Sequence, residues 1–347
     1  MNASLRILLI ALATGTVFTA RNVDAEECAN VHASRDALRA SFLCNMDLRD
    51  AQRSPVLLVP GTALEPETNF SWNYVPALEA MGWPVCTVEL PDDTLANIQL
   101  SAEHIEYAIR EAYRLSGHKV QIIGFSQGGM APRWALRFSP DTRQKVEDLI
   151  SLSGSHHGAI GADLFCGPFA TEDPNGVLGC EAAIWQQGTD SAFINALNAG
   201  YETVPEVDYT AIYTLFDDVL FENGTPTPTS ALLDDAANVV NITLQDVCPA
   251  NLANHRAIGT FDPVGYAIAL DALEHAGPAD LERILGGGAP GSSPVCAETV
   301  MPGVDPSTLA SNLAAYDAAV SAALSNGTHL TEEPALACYT RGKGPKR

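Results

Sequence analysis

Val120-Gln121-Ile122-Ile123-Gly124-Phe125-Ser126-Gln127-Gly128 decides the fold. Val120–Ile123 is short, apolar and rich in β-branched residues, the pattern of a strand buried on both faces. Gln127 to Phe138 reads as a helix. Between them stands Gly-x-Ser-x-Gly, with small residues two before and two after the serine. A strand that reverses sharply into a helix lifts the serine Oγ clear of the sheet, and only small neighbours avoid collision across so tight a turn. The same letters occur by chance in ordinary glycine-flanked turns. The strand–turn–helix setting is the context that the chemistry demands, and it is present here.

Outward from this turn, strands and helices alternate. Val56–Val59 is an apolar strand ending at Pro60-Gly61, Tyr74–Met81 a helix closed by Gly82, and Pro84–Leu90 a second strand. Ser101 is placed to cap an amphipathic helix with Ile105, Ile109, Ala112 and Leu115 on one stripe and Gly117 at its end. Asp148–Ser153, Tyr209–Thr214 and Val239–Leu244 are further strands. Helices are expected at Ser191–Ala199, around Val264–Leu273 and, Ala-rich, at Ser307–Leu324. Such alternation implies a mostly parallel central sheet with helices on both faces, and the serine turn set between strand and helix makes an α/β-hydrolase fold the expectation. Residues 155–190 break the rhythm with Gly, Pro and two cysteines and are expected to be an inserted lid or cap. The remainder, 26–347, is expected to be one domain, with residues 297–347 forming a helical wall and tail.

A serine hydroxyl is a poor nucleophile until a base removes its proton, so a histidine and an orienting carboxylate must accompany Ser126. In this fold the chain order is Ser, then Asp or Glu, then His. The strand at 209–214 leads into Leu215-Phe216-Asp217-Asp218. Either aspartate fits; Asp217 is preferred, with Asp218 as a solvated neighbour. Of eight histidines, His32, His104 and His118 precede the nucleophile, and His156 and His157 precede the acid. His275 reads as a solvated helical residue, and His329 lies in the C-terminal tail. His255, in the loop 251–256 after the strand at 239–244, stands where the order requires the base. The oxyanion needs donors as well. Gln127 offers its backbone N–H at a helix N-terminus, and Thr62, after Gly61, offers its N–H and hydroxyl.

The whole chain bounds the setting. It has 347 residues, 46% hydrophobic and 18% charged, and a formal net charge of −23. That surface repels nucleic acid and strongly anionic membranes and favours a neutral substrate. Arg6, the apolar Ile7–Phe18 and Val23-Asp24-Ala25 read as a signal peptide over residues 1–25, with the mature chain beginning near Glu26. The apolar run is too short and too interrupted for a membrane span. All eight cysteines (Cys28, Cys44, Cys86, Cys166, Cys180, Cys248, Cys296 and Cys338) follow that segment, and an even number in an exported chain implies disulfides. Four sequons follow that segment, at Asn69, Asn223, Asn241 and Asn326, and are open to glycosylation in a eukaryotic host. His156-His157 has no nearby Cys or carboxylate cluster in sequence, so no metal site and no cofactor are expected.

With these residues placed, a resemblance becomes visible. Val56-Leu-Leu-Val-Pro-Gly-Thr62, Phe125-Ser-Gln-Gly-Gly129, Trp185-Gln-Gln187, Phe216-Asp-Asp-Val219 and Cys248…His255 resemble the Candida antarctica lipase B family, in order and spacing, from about Cys44 to the end of the chain. The resemblance implies Ser126, Asp217 and His255 as a triad, Thr62 and Gln127 as oxyanion hole, and disulfides Cys44–Cys86 and Cys248–Cys296. It also implies that the Ala-rich helix walls the acyl entrance, with Leu313 and Val320 among its lining residues. Read from periodicity alone, the stripe Leu309, Leu313, Tyr316, Val320 and Leu324 is equally a plain core face. Departures are informative. Phe125 replaces a tryptophan of the family prototype, so the alcohol-side pocket should differ in shape. Gly154-Ser-His-His-Gly158 replaces an aspartate-containing turn. The lid is longer and carries Cys166 and Cys180, expected to pair locally, which leaves Cys28 and Cys338 to tie the two ends.

The chemistry expected is lipase or esterase action on neutral esters, with an oil–water interface as a possible setting. An acyltransferase or polyester depolymerase would use the same machinery. A catalytically silent binding module would be expected to lack the serine or the histidine, and both are present.

Overall fold

The structure is a computed structural model that describes residues 28–341; the expected signal peptide and its cleavage site lie outside the described residues. Seven strands form the main sheet: β1 (Phe42–Cys44), β2 (Val56–Val59), β3 (Val85–Val88), β4 (Val120–Phe125), β5 (Val146–Leu152), β8 (Asp208–Tyr213) and β9 (Val239–Thr243). Their order is β1-β3-β2-β4-β5-β8-β9, and every pairing is parallel except β1 with β3. The antiparallel edge β1 is a strand that periodicity did not show, because three residues are too few to establish a period. Its register pairs Cys44 with Cys86, and a disulfide joins the two at that point.

The helices that position the site are α1 (Ile98–Ser116), α2 (Gln127–Phe138), α3 (Ile160–Cys166), α4 (His255–Ile258), α5 (Pro263–Glu274) and α6 (Leu309–Asn326). Strands β2 and β4 are buried on both faces, yet their residues still alternate between two cores. Leu57, Val59 and Ile122 face a layer containing Ile105, Ala108 and Trp134 of α1 and α2. Val56, Leu58, Ile123 and Phe125 face a layer with Phe70, Tyr74 and the α5 residues Val264 and Ile268. Trp134 stacks on Phe193 at 4.3 Å in the first layer, an aromatic seam whose truncation would cost about 3–5 kcal/mol.

One boundary needs correction. Helix α1 begins a turn before Ser101: Asn97 is its N-cap, its side chain accepting the Gln99 N–H, and Ser101 is buried inside the helix. Ile98 and Ala102 are fully buried, so the apolar stripe runs further back than the serine implied. Gly117 ends the helix with φ of 71°.

The lid and the tail are also less separate than their places in the chain. Residues 160–186 contain α3, a hairpin of β6 (Thr171–Glu172) and β7 (Leu178–Glu181), and a short helix, Ala182–Gln186. Strand β10 (His329–Leu330) pairs with β7, so lid and tail form one three-stranded sheet. His329 is therefore no free tail residue. Its Nδ1 lies 3.1 Å from the Thr171 carbonyl oxygen, and its backbone N–H donates to Asp173. Cys166 is bonded to Cys180 across this unit, Cys248 to Cys296, and Cys28 to Cys338. No helix among the described residues is long and apolar enough to cross a membrane.

Candidate active site

Ser126 stands at the end of β4 with φ 54° and ψ −122°, a conformation that costs a non-glycine residue of order 1–3 kcal/mol. The neighbours enforce it. A Cβ at Gly124 would overlap the Gly128 carbonyl, and one at Gly128 would overlap the carbonyls of Val59 and Pro60. The Ser126 N–H donates to the Leu152 carbonyl of β5 (2.9 Å), which anchors the turn to the sheet. Ser126 is 7% exposed.

The loops after β8 and β9 bring Asp217 and His255 together. Asp217 Oδ2 accepts the His255 Nδ1 hydrogen at 2.9 Å, and both residues are buried. Asp217 Oδ1 accepts the N–H groups of Val219 (3.0 Å) and Leu220 (2.6 Å). Burial pushes the Asp217 carboxyl up, but the charge and hydrogen bond of His255 and these backbone donors outweigh it and hold the group below its ordinary value. An ionised Asp217 favours the tautomer with hydrogen on Nδ1, which leaves Nε2 able to accept a proton. No hydrogen bond joins Ser126 Oγ to His255 among the described residues. Such bonds are often long before substrate binds and tighten in the reacting complex. The Phe125 ring, next in sequence to Ser126, lies 4.8 Å from the imidazole, centroid to centroid.

Asp218 is exposed but not merely solvated. Its Oδ1 accepts the His255 backbone N–H (3.2 Å) and its Oδ2 accepts Asn254 Nδ2 (2.9 Å). Asn254 caps α4, so the adjacent aspartates divide the labour: one orients the imidazole and the other its backbone. Thr214 adds a third tie, its hydroxyl donating to the Ala253 carbonyl at 2.6 Å.

On the opposite side, Thr62 and Gln127 are joined by Gln187. The Thr62 hydroxyl donates to Gln127 Oε1 (3.0 Å), while Gln187 Nε2 donates to Thr62 Oγ1 (3.1 Å) and to Gln127 Oε1 (3.1 Å). The Thr62 hydroxyl hydrogen is thus engaged, which leaves the backbone N–H groups as the free donors toward an oxyanion. Ser155 Oγ donates to Gln187 Oε1 at 2.9 Å and extends the network beneath the lid.

The expected substrate-contacting residues are placed as follows. Phe125 is 1% exposed, filling the space between Gly61 and Gly259 under the His255 ring, so it supports the imidazole rather than presenting a surface of its own. Leu313 and Val320 are half-buried on α6, where only Tyr316 is buried and Leu324 is exposed. The stripe is therefore not a plain core face. The histidine pair after β5 splits: His157 Nε2 lies 2.8 Å from Glu202, whereas His156 is fully buried with no partner for either ring nitrogen, and burial pushes it well below its ordinary value. Among the described residues, no group of three or more His, Cys, Asp or Glu is arranged to hold a metal ion. Asn223, Asn69, Gln187 and Asn254 were not recognised as site residues from sequence. The available signals were an asparagine preceding a short helix at Asn254 and the sequons at Asn69 and Asn223.

The family model described as palmitoyl protein thioesterase matches residues 65–206, a span that includes the Ser126 turn but stops before Asp217. Lipase B of Pseudozyma antarctica is 27% identical over 242 residues, covering 69% of this chain and 67% of its own. The crystal structure of Aspergillus fumigatus lipase B superposes with a TM-score of 0.76 at 27% identity, over 96% of this chain and 78% of that one. The chain resembles lipase B and has the α/β-hydrolase fold. It is a carboxylic ester hydrolase by the same likeness. In this lipase B-like enzyme the turn, the Asp217–His255 pair and the Thr62–Gln127–Gln187 triangle all lie at the C-terminal edge of the parallel strands, where α/β sheets carry their chemistry.

Proposed function

We propose that this enzyme hydrolyses neutral lipid esters, triacylglycerols or shorter acyl esters, through a Ser126–His255–Asp217 triad and an acyl-enzyme intermediate. The reading is supported above all by the buried 2.9 Å Asp217–His255 pair beside a strained serine turn. His255 Nε2 takes the Ser126 proton as Oγ attacks the ester carbonyl. The Thr62 and Gln127 N–H groups stabilise the oxyanion, and the proton passes to the leaving alcohol. Water then attacks the acyl-enzyme by the same route. The net charge of −23 and the exposed apolar side chains of the lid favour an uncharged interface as the place of action. The disulfides fit export, which we propose for the mature chain.

The test is direct. A fluorophosphonate should label wild-type enzyme at Ser126 and fail on Ser126→Ala, and the wild type should hydrolyse both a soluble short ester and an emulsified long-chain triglyceride. Activity confined to the soluble ester would restrict the enzyme to esterase chemistry, and labelling that persists in Ser126→Ala would remove the nucleophile from the mechanism.

A further inference from the structure

Two of the four sequon asparagines lie inside the molecule. Asn69 and Asn223 are each 0% exposed, whereas Asn241 and Asn326 are on the surface. The buried pair reach the site from opposite sides.

Asn223 lies six residues beyond Asp217. Its Nδ2 donates to Asp217 Oδ2 (3.3 Å), the oxygen that also holds His255, and to Ser230 Oγ (3.0 Å). Its Oδ1 accepts the Ser230 N–H at 3.0 Å. Asn69 Oδ1 accepts the Gly61 N–H (3.1 Å), next to Thr62, and its Nδ2 donates to the Gly259 carbonyl (3.2 Å), at the end of the helix that begins with His255. Asn69 therefore joins the oxyanion loop to the histidine loop. At Asn223 both amide hydrogens are in use, and at each position the amide is walled by protein. An N-linked sugar replaces one of those hydrogens with a ring that has no room.

We infer that Asn69 and Asn223 are positioning residues of the hydrolytic site, and that neither carries a glycan in the active enzyme. The inference rests on the triad reading above. Neither residue touches substrate; Asn223 acts through Asp217, and Asn69 acts through the two loops. Their loss should therefore lower kcat and leave KM unchanged.

The isosteric variants Asn223→Asp and Asn69→Asp test this with little change in packing. Asn223→Asp places a second carboxyl against Asp217 and removes a donor. It should lower kcat about tenfold at unchanged KM and move the acid limb of kcat/KM upward, since a second carboxyl beside Asp217 adds negative charge to the site. Asp218, Glu222 and Arg256, which also carry charge around this loop, are unchanged in every variant. Asn69→Asp should lower kcat about tenfold without that pH shift, because its carboxylate cannot donate to Gly259. Thr225→Ala and Ser71→Ala erase the sequons but keep the asparagines, and should retain activity within about twofold. Peptide mapping of fluorophosphonate-labelled enzyme from a glycosylating host should find residues 69 and 223 unmodified. A glycan at either position in the labelled pool overturns the inference, as does an Asn223→Asp variant with wild-type kcat and pH profile. Failure of the wild type to take the label would instead overturn the triad reading.

Discussion

The wall holding Asp217 and His255 and the cover formed by residues 159–181 use their atoms in opposite ways. On the wall, both Asp217 oxygens, His255 Nδ1, the His255 backbone N–H and both ends of the Asn223 amide have partners. On the cover, Ile160, Leu164, Phe165, Phe169 and Leu178 are exposed, the two phenylalanines by 65% and 63%. Behind α3 a small satellite core of Ala159, Ala162 and Leu220, with Ile184 against it, packs it to the body. A fully satisfied polar network has one good geometry, whereas an apolar surface in water gains by meeting another one. From this difference we propose a division of roles: the wall fixes the reacting atoms, and the cover meets the substrate phase.

The comparison breaks most visibly at Asp217. Asp217→Asn should keep the fold but favour the wrong imidazole tautomer, lowering kcat on a soluble ester by about 10⁴-fold. A loss below tenfold would mean that Asp218 can replace it. Next is Thr62→Val, which removes the hydroxyl shared by Gln127 and Gln187 but keeps the backbone N–H. We expect kcat to fall roughly tenfold with KM little changed, and a fall as large as that of Asp217→Asn would assign the hydroxyl itself to the oxyanion.

The cover is tested by Phe165→Ser with Phe169→Ser. Activity on emulsified triglyceride should fall roughly 5- to 150-fold, the equivalent of about 1–3 kcal/mol of lost burial at the interface, while the soluble ester is turned over as before. Equal losses on both substrates would join the cover to the wall.

The smallest effect is expected at the far end of the sheet. Asp148, near the start of β5, accepts a hydrogen bond from Gln121, but burial pushes its carboxyl up to about 8, with Glu147 and Asp208 adding to the rise. Between its ordinary value of 3.8 and about 8, the folded state holds a proton that the unfolded state releases. Its contribution to stability is thus full in acid and lost as pH climbs through that window. Asp148→Asn should flatten this slope, raising Tm relative to wild type by several degrees near pH 8 and by little near pH 4, with unchanged kcat. Parallel Tm curves across that range would remove Asp148 from the account.

Most of the scaffold was legible because its signals are local. A buried strand, a glycine-flanked serine and a helix are contiguous letters, and the boundaries of α2 are those read from sequence. Asp217 and His255 followed from chain order. The rest depends on pairings between distant segments. Strand β1 is recognisable only through its partner β3, and β10 only through β7. Asp218 looked solvated because its exposure is real, and only the fold brings Asn254 and His255 to it. Asn69 and Asn223 carried a surface signature while their side chains face inward, since a sequon says nothing about burial.

Cys28 and Cys338 close the described chain into a covalent loop, and Ala29 bridges Ala337 beside them. A pull applied to residues outside the bond would run from one sulfur to the other and leave the sheet unloaded. Mechanical unfolding from those ends should wait for a reductant, whatever the thermal stability of the core. The same closure brings the two ends of the fold to one point on its surface, so a tether there would hold the molecule without drawing on its core.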